Sequence, residues 1–172
     1  MTQGNGFTHF DGSGNAVMVD VSGKDITERI AEAAGTIAVS EEVFRAVTEK
    51  NVKKGDVLTV AQVAGIMGTK QTSSLIPMCH PLNLTKVSLT FTQDPEACTF
   101  TAHCTVKTEG RTGVEMEALT GVSAALLTIY DMCKAIDKRM EITGIHLAKK
   151  TGGKSGLFVN DPEFAEDAGH DC

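Results

Sequence analysis

Glu115 and Glu117 stand two residues apart, just ahead of the longest apolar run of the chain, Ala118–Tyr130. Asp131 and Lys134 then interrupt that run. If residues 113–117 are extended, the side-chain period of two sets both carboxylates on one face. If the chain is helical from about Ala118 to Arg139, Asp131 and Lys134 are i,i+3 neighbours on one stripe. Ionisable groups in an apolar element are costly to bury unless they have a partner or a task. Carboxylates grouped with an amine are what proton transfer needs, so the segment reads as an active site. A plainer alternative makes Asp131 and Lys134 a buried ion pair that fixes helix packing.

Pro77-Met-Cys-His-Pro81 adds a second candidate. Its two prolines stiffen the loop and hold His80 in a defined direction, with the Met78–His80 backbone free to meet a ligand. A histidine of the core is the competing reading. Lys54, in the turn Lys53-Lys-Gly-Asp56, is either a cation raised beside a helix start or a solvated loop lysine. Cys79-His80 is a poor metal pair, because adjacent residues chelate badly and only His103-Cys104 could complete a set. No metal site is expected. Lys149-Lys-Thr-Gly-Gly-Lys-Ser-Gly156 imitates a phosphate-binding loop, but Ala148 stands where the pattern needs its first glycine. The segment instead reads as a glycine-rich, lysine-bearing strap able to fold over an anion.

Positioning these groups requires a small set of elements. Residues 29–39 suit either a helix, by their alanines, or a strand, by the alternation at their end; the strand is preferred. Ser40-Glu-Glu starts a helix that runs to about Asn51, with Ser40 as its cap. Asp56 caps a second helix reaching about Gln71, and Pro77 and Pro81 bracket a loop. Val87, Leu89 and Phe91 alternate as a strand, Asp94-Pro95 turns the chain, and 98–109 returns as the other half of a hairpin. The helix 118–139 and a strand near 141–149 follow. Strand, helices, two strands, helix, strand is the split βαβ order: an α+β fold with an antiparallel sheet covered by helices on one face.

With 172 residues and 41% hydrophobic content, the chain suits one domain with a full core. That domain is expected over residues 16–160. Residues 1–15, glycine-rich and aperiodic, are expected to form a flexible arm, and 161–172 an acidic, solvated tail. A net charge of −6, with one Tyr and no Trp, argues against nucleic-acid binding. Five cysteines without CxxC spacing argue against a disulfide framework. Ala118–Tyr130 is too short to cross a bilayer, and no signal peptide is apparent, so the expected home is the reducing cytoplasm.

Six segments together resemble the cyclic pyranopterin monophosphate synthase (MoaC) family: Met18-Val-Asp-Val21, Lys54-Gly-Asp56, Leu75-Ile-Pro-Met-Cys-His-Pro-Leu82, Gly113-Val-Glu-Met-Glu-Ala-Leu-Thr120, Leu127-Thr-Ile-Tyr-Asp-Met-Cys-Lys-Ala135 and Gly152-Gly-Lys-Ser-Gly156. The resemblance spans roughly residues 16–159. It implies a ferredoxin-like α+β sandwich and a role in molybdenum cofactor biosynthesis. It further implies a lyase without metal or cofactor, which converts a cyclised dihydroguanosine triphosphate, made by an upstream radical enzyme, into cyclic pyranopterin monophosphate and pyrophosphate. A homohexamer built as a trimer of dimers, with sites at the dimer interface, is implied too.

Residue by residue, the resemblance makes Asp131 the essential aspartate and Lys134 its partner lysine, with Lys54 the loop lysine. Met78, Cys79, His80, Met116 and Glu117 become substrate contacts. Arg29 and Lys150 match further basic positions, and Lys70 and Lys154 join that cation set for the triphosphate. Asp131, Glu115, Glu117 and His80 are then candidates for moving protons, with Lys134 as cation or acid. Because Lys54, the 78–80 loop and the 115–134 segment lie far apart in sequence, each pocket is expected to combine residues from two chains.

Overall fold

The computed structural model describes residues 13–160, so the expected acidic tail and all but the end of the expected N-terminal arm lie outside the described residues. The element order is β1 (Thr27–Ala38), α1 (Glu41–Thr48), α2 (Val57–Thr69), α3 (Thr72–Leu75), β2 (Leu84–Asp94), β3 (Thr99–Gly110), α4 (Glu115–Cys133), β4 (Glu141–Thr151) and β5 (Phe158–Val159). Every neighbouring pair in the sheet order β2-β3-β1-β4-β5 is antiparallel. The chain from β1 to β2 skips over β3, and α4 carries it from β3 over β1 to β4. These two interleaved crossovers make the ferredoxin-like arrangement.

The ambiguous 29–39 segment is a strand, and its small residues explain why. Ala31, Ala33, Gly35 and Ile37 are buried in alternation, as are Phe100, Ala102, Cys104, Val106 and Thr108 of β3. Both rows lie beneath α4, which packs on β1, β3 and β4, while α2 packs beside α4 and over β2. From α1, the Phe44 ring stacks on Phe100 with centroids 4.9 Å apart. The caps fall where the sequence puts them. Ser40 Oγ accepts from the Val43 amide at 3.3 Å, and Asp56 Oδ1 accepts from the Thr59 amide at 3.2 Å.

Two glycines let α2 and α4 touch. A Cβ on Gly121 would lie 2.7 Å from Cys104 Sγ and 2.8 Å from Thr69 Cγ2, and one on Gly65 would lie 2.9 Å from the Gly121 carbonyl oxygen. Gly121→Ala should therefore destabilise the protein by about 1–3 kcal/mol, the usual range for overpacking a tight core. Urea unfolding checks this, and an unshifted midpoint would show that the helix pair has slack.

Several boundaries differ from expectation. Residues 113–117 are not extended: α4 begins at Glu115, so the two glutamates occupy its first turn, where negative charge is favourable. The helix also ends earlier, with Lys134 as its C-cap rather than at Arg139. Beyond it the chain turns back, fixed by the Tyr130 hydroxyl donating to the Lys138 carbonyl at 2.9 Å. α1 and α2 stop at Thr48 and Thr69, a few residues short of expectation, and α3 adds a single turn after α2. The last long strand runs on to Thr151, and the short β5 pairs with Lys149 and Lys150.

Candidate active site

Helical geometry separates the two glutamates, because neighbours two apart on a helix diverge by about 200°. Glu117 turns inward and is 4% exposed. Burial pushes its carboxyl above the usual carboxylate range; the backbone amide of the same residue partly offsets this, and the charge of Glu115 adds to it. Glu115 faces β4 instead, with Oε1 3.4 Å from Lys150 Nζ. The strand alternation decides which lysine arrives there. Lys150 points to the helical side, while Lys149 lies near Glu32 at 3.9 Å.

The first turn of α4 forms one wall of a cavity of about 440 Å³. The loop bracketed by the prolines supplies Met78, Cys79 and His80, the helix supplies Glu115, Met116 and Glu117, and Val19 and Val21 close the apolar side. The Cys79 amide donates to the Ile76 carbonyl at 3.1 Å, which fixes the turn that presents His80. Burial, and secondarily the charge of Glu117, pushes the Cys79 thiol up. Cys79 is thus held as a neutral thiol, a poor nucleophile.

A second cavity of about 320 Å³ lies beside the first, lined by Lys24, Asp25, Thr27, Arg29, Gly153, Lys154 and Ser155. Arg29 is anchored by two donations, Nε to the Gly110 carbonyl at 3.0 Å and Nη2 to the Arg111 carbonyl at 3.2 Å. The glycine-rich strap turns through positive φ at Gly152 (91°) and Gly153 (70°), and a Cβ on Gly153 would strike Arg29 Nη1. Only glycine combines that backbone with that approach. Lys150 contacts one lining residue of each cavity, Glu115 at 3.4 Å and Ser155, to whose Oγ its Nζ donates at 2.7 Å.

Asp131 holds a third group of residues at the far end of α4. Lys134 Nζ lies 2.6 Å from Oδ1, while Lys54 Nζ lies 3.1 Å from Oδ2 and 2.9 Å from the Asp131 carbonyl oxygen. The Lys134 contact first, and the Lys54 contact second, hold the Asp131 carboxyl below its usual range, and Asp131 in turn raises Lys134. At neutral pH the trio is one carboxylate between two ammonium groups. It is also solvent-accessible, the Asp131 side chain being 58% exposed. The buried ion pair of the plainer sequence reading is therefore not what forms.

Of the three segments far apart in sequence, Lys54 and Asp131 meet within a single chain, brought together by the packing of α2 on α4. The 78–80 loop likewise meets Glu117 within one chain. What one chain does not unite is the two groups, because the sixteen residue steps from Glu115 to Asp131 span about 24 Å of helix. Lys70, expected among the cations, is the exposed C-cap of α2 and lines neither cavity. Lys24, Thr27 and Thr112 line the cavities and were not singled out from sequence. The one available signal was the spacing of Thr27 and Arg29, two apart at the start of β1 and so on the same face.

The sequence model of the MoaC family matches residues 18–153, a span that holds every candidate residue except Lys154. Relatives of this chain named cyclic pyranopterin monophosphate synthase include three from different bacteria. The one from Clostridium botulinum (strain Alaska E43 / Type E3) is 59% identical over 157 residues, covering 91% of this chain and 99% of the relative. The Rhodospirillum rubrum protein is 59% identical over 156 residues, covering 90% and 93%. The protein of Cereibacter sphaeroides (strain ATCC 17029 / ATH 2.4.9) is 60% identical over 153 residues, covering 89% and 96%.

Proposed function

The chain belongs to the MoaC family, and from that premise we propose that it is a cyclic pyranopterin monophosphate synthase of molybdenum cofactor biosynthesis. It rearranges the cyclised dihydroguanosine triphosphate delivered by an upstream radical enzyme and acts as a phosphorus–oxygen lyase. The observation that carries this reading is the pair of adjoining cavities at the head of α4. One is largely apolar with a buried carboxyl of raised pKa, and the other is lined by cations. A flat ring system suits the first and a phosphate tail the second.

In this reading a ribose hydroxyl gives up its proton to a basic group of the pocket or to the departing pyrophosphate and forms a bond to the innermost phosphorus, while the bond from that phosphorus to pyrophosphate breaks. The departing group takes the negative charge, and Arg29, Lys150 and Lys154 stabilise it. Rebuilding the ring needs protons moved on and off nitrogen and carbon. Glu117, whose carboxyl is raised toward neutrality, is the best placed group for that exchange, with His80 across the cavity and Glu115 holding Lys150. Asp131, kept ionised, is a weak base; its part is to fix the ammonium groups of Lys54 and Lys134. Those cations reach the substrate from a second chain, whose α4 C-terminal end completes the pocket across a dimer interface. A closed hexamer of three such dimers satisfies this requirement.

Incubating purified protein with the cyclised triphosphate tests the reading. One cyclic pterin monophosphate and one pyrophosphate per substrate consumed are expected. Release of neither product, under conditions where the substrate is bound, would remove the assignment.

A further inference from the structure

We propose that Asn160 is a positioning residue for Lys150, holding a bulge in β4 that turns Lys150, and not Lys149, toward the site. The inference rests on the reading above, in which the Lys150 ammonium group stabilises the departing pyrophosphate. The strand register carries it. On β1, Ala31 lies opposite Lys150 and Glu32 opposite Lys149, but the next residue, Ala33, lies opposite Leu147. Ala148 is thus an extra residue in β4, with no counterpart on β1. Continued regularly from Leu147, the pairing would set Ala148 against Glu32 and Lys149 against Ala31. A one-residue slip exchanges the two faces of a strand. Lys149 would then enter beneath α4, and Lys150 would leave it. Bulges beside active sites re-aim side chains in this way.

Asn160 holds the bulge from the other edge of β4. Its backbone amide donates to the Ala148 carbonyl at 2.8 Å, one step beyond the pairing of Val159 with Lys149. Its side-chain Nδ2 donates to the Leu147 carbonyl at 3.3 Å. One residue therefore pins both peptide groups that flank Ala148. Ala148 itself is fully buried, so the extra residue is packed into the fold rather than looped into solvent. Each lysine is then engaged on its own face. Lys149, buried, lies 3.9 Å from Glu32, while Lys150 reaches Glu115 and Ser155 at 3.4 and 2.7 Å. Asn160 lines neither cavity, so its effect on the reaction passes through Lys150.

Asn160→Ala removes the side-chain donor, and Asn160→Asp keeps the shape but sets an acceptor against the Leu147 carbonyl. Both are expected to lower kcat for the cyclised triphosphate about five- to tenfold, with KM within about twofold, as loss of a hydrogen bond that serves the transition state would. In a Lys150→Met background the same substitutions should leave the residual kcat unchanged, because their effect passes through that ammonium group. A purely structural role would lower kcat in both backgrounds. Reductive methylation followed by mass spectrometry reads the two lysines without turnover. In the unmodified protein Lys149 should react several-fold more slowly than Lys150, and in the Asn160 variants that difference should shrink. The proposal is overturned if both variants keep the unmodified kcat, if their losses persist in full without Lys150, or if the methylation contrast does not change. If the contrast shrinks as expected while the unmodified protein converts no cyclised triphosphate, the positioning stands and the functional reading falls.

Discussion

Lys134→Ala and Asp131→Ala should each abolish pterin formation, a loss of about 10²–10⁴-fold or more, while leaving the fold intact. The Asp131 carboxylate sits between two ammonium groups, and each substitution breaks that arrangement in its own way. Without the Asp131 carboxylate, Lys134 loses its partner and Lys54 keeps only the backbone carbonyl of residue 131; without Lys134, one of the two charges is missing. Both side chains are largely in solvent, where ion pairs contribute little to stability. Circular dichroism and the thermal midpoint should therefore match those of the unmodified protein. Turnover near the unmodified level in both variants would overturn the role of the trio.

Glu117→Gln is the second substitution of large effect, and it should move activity and stability in opposite directions. Removing the exchangeable proton is expected to lower turnover by about 10²–10⁴-fold. The stability change follows from burial. The folded-state pKa of Glu117 is raised, so its contribution to stability is full below the ordinary carboxylate value and is lost as pH rises through the folded pKa. At pH 7 to 8 folding must either bury the Glu117 charge or take up a proton to avoid it, a cost that glutamine lacks, so Glu117→Gln should unfold at higher urea. Near pH 4 the carboxyl is protonated and the two midpoints should converge. A variant less stable at pH 8, or equally active, would show that Glu117 is a structural acid.

Local chemistry made most of the fold legible. The alternation at Val87, Leu89 and Phe91 announced β2, Ser40 and Asp56 announced two helix starts, and the order of elements specified the sheet. The misplaced head of α4 has a physical cause. Five residues with acids at alternate positions fit an extended segment and an acidic first helical turn equally well. Its tail was misplaced because Ala135 and Ile136 continue the apolar pattern, while the Tyr130 hydroxyl that secures the turn leaves no local mark. β5 is two residues long and owes its existence to pairing with β4.

The site was legible in its residue types more than in its groupings. Glu117, His80 and Lys150 stood out as chemistry-bearing groups, yet sequence could not say that they share one end of α4. Lys54 and Asp131 are 77 residues apart, and only the packing of α2 against α4 makes them neighbours. Lys24 and Thr27 lie in a polar stretch that reads as a solvated connector until the start of β1 is known. Lys70, a cation of the expected type, stands on a helix end and lines neither cavity of the single chain.

The central claim is that the two ends of α4 each carry half of a site completed by another chain. Subunit exchange between Glu117→Gln and Lys134→Ala protomers tests it directly. Each variant alone should be inactive. A two-chain site leaves one intact pocket in every mixed dimer, so an equal mixture should regain about a quarter of the unmodified activity. Mixing Lys54→Ala with Asp131→Ala, which damage the same half, should restore nothing. Failure of the first mixture despite demonstrated exchange, or rescue by the second, would contradict the account.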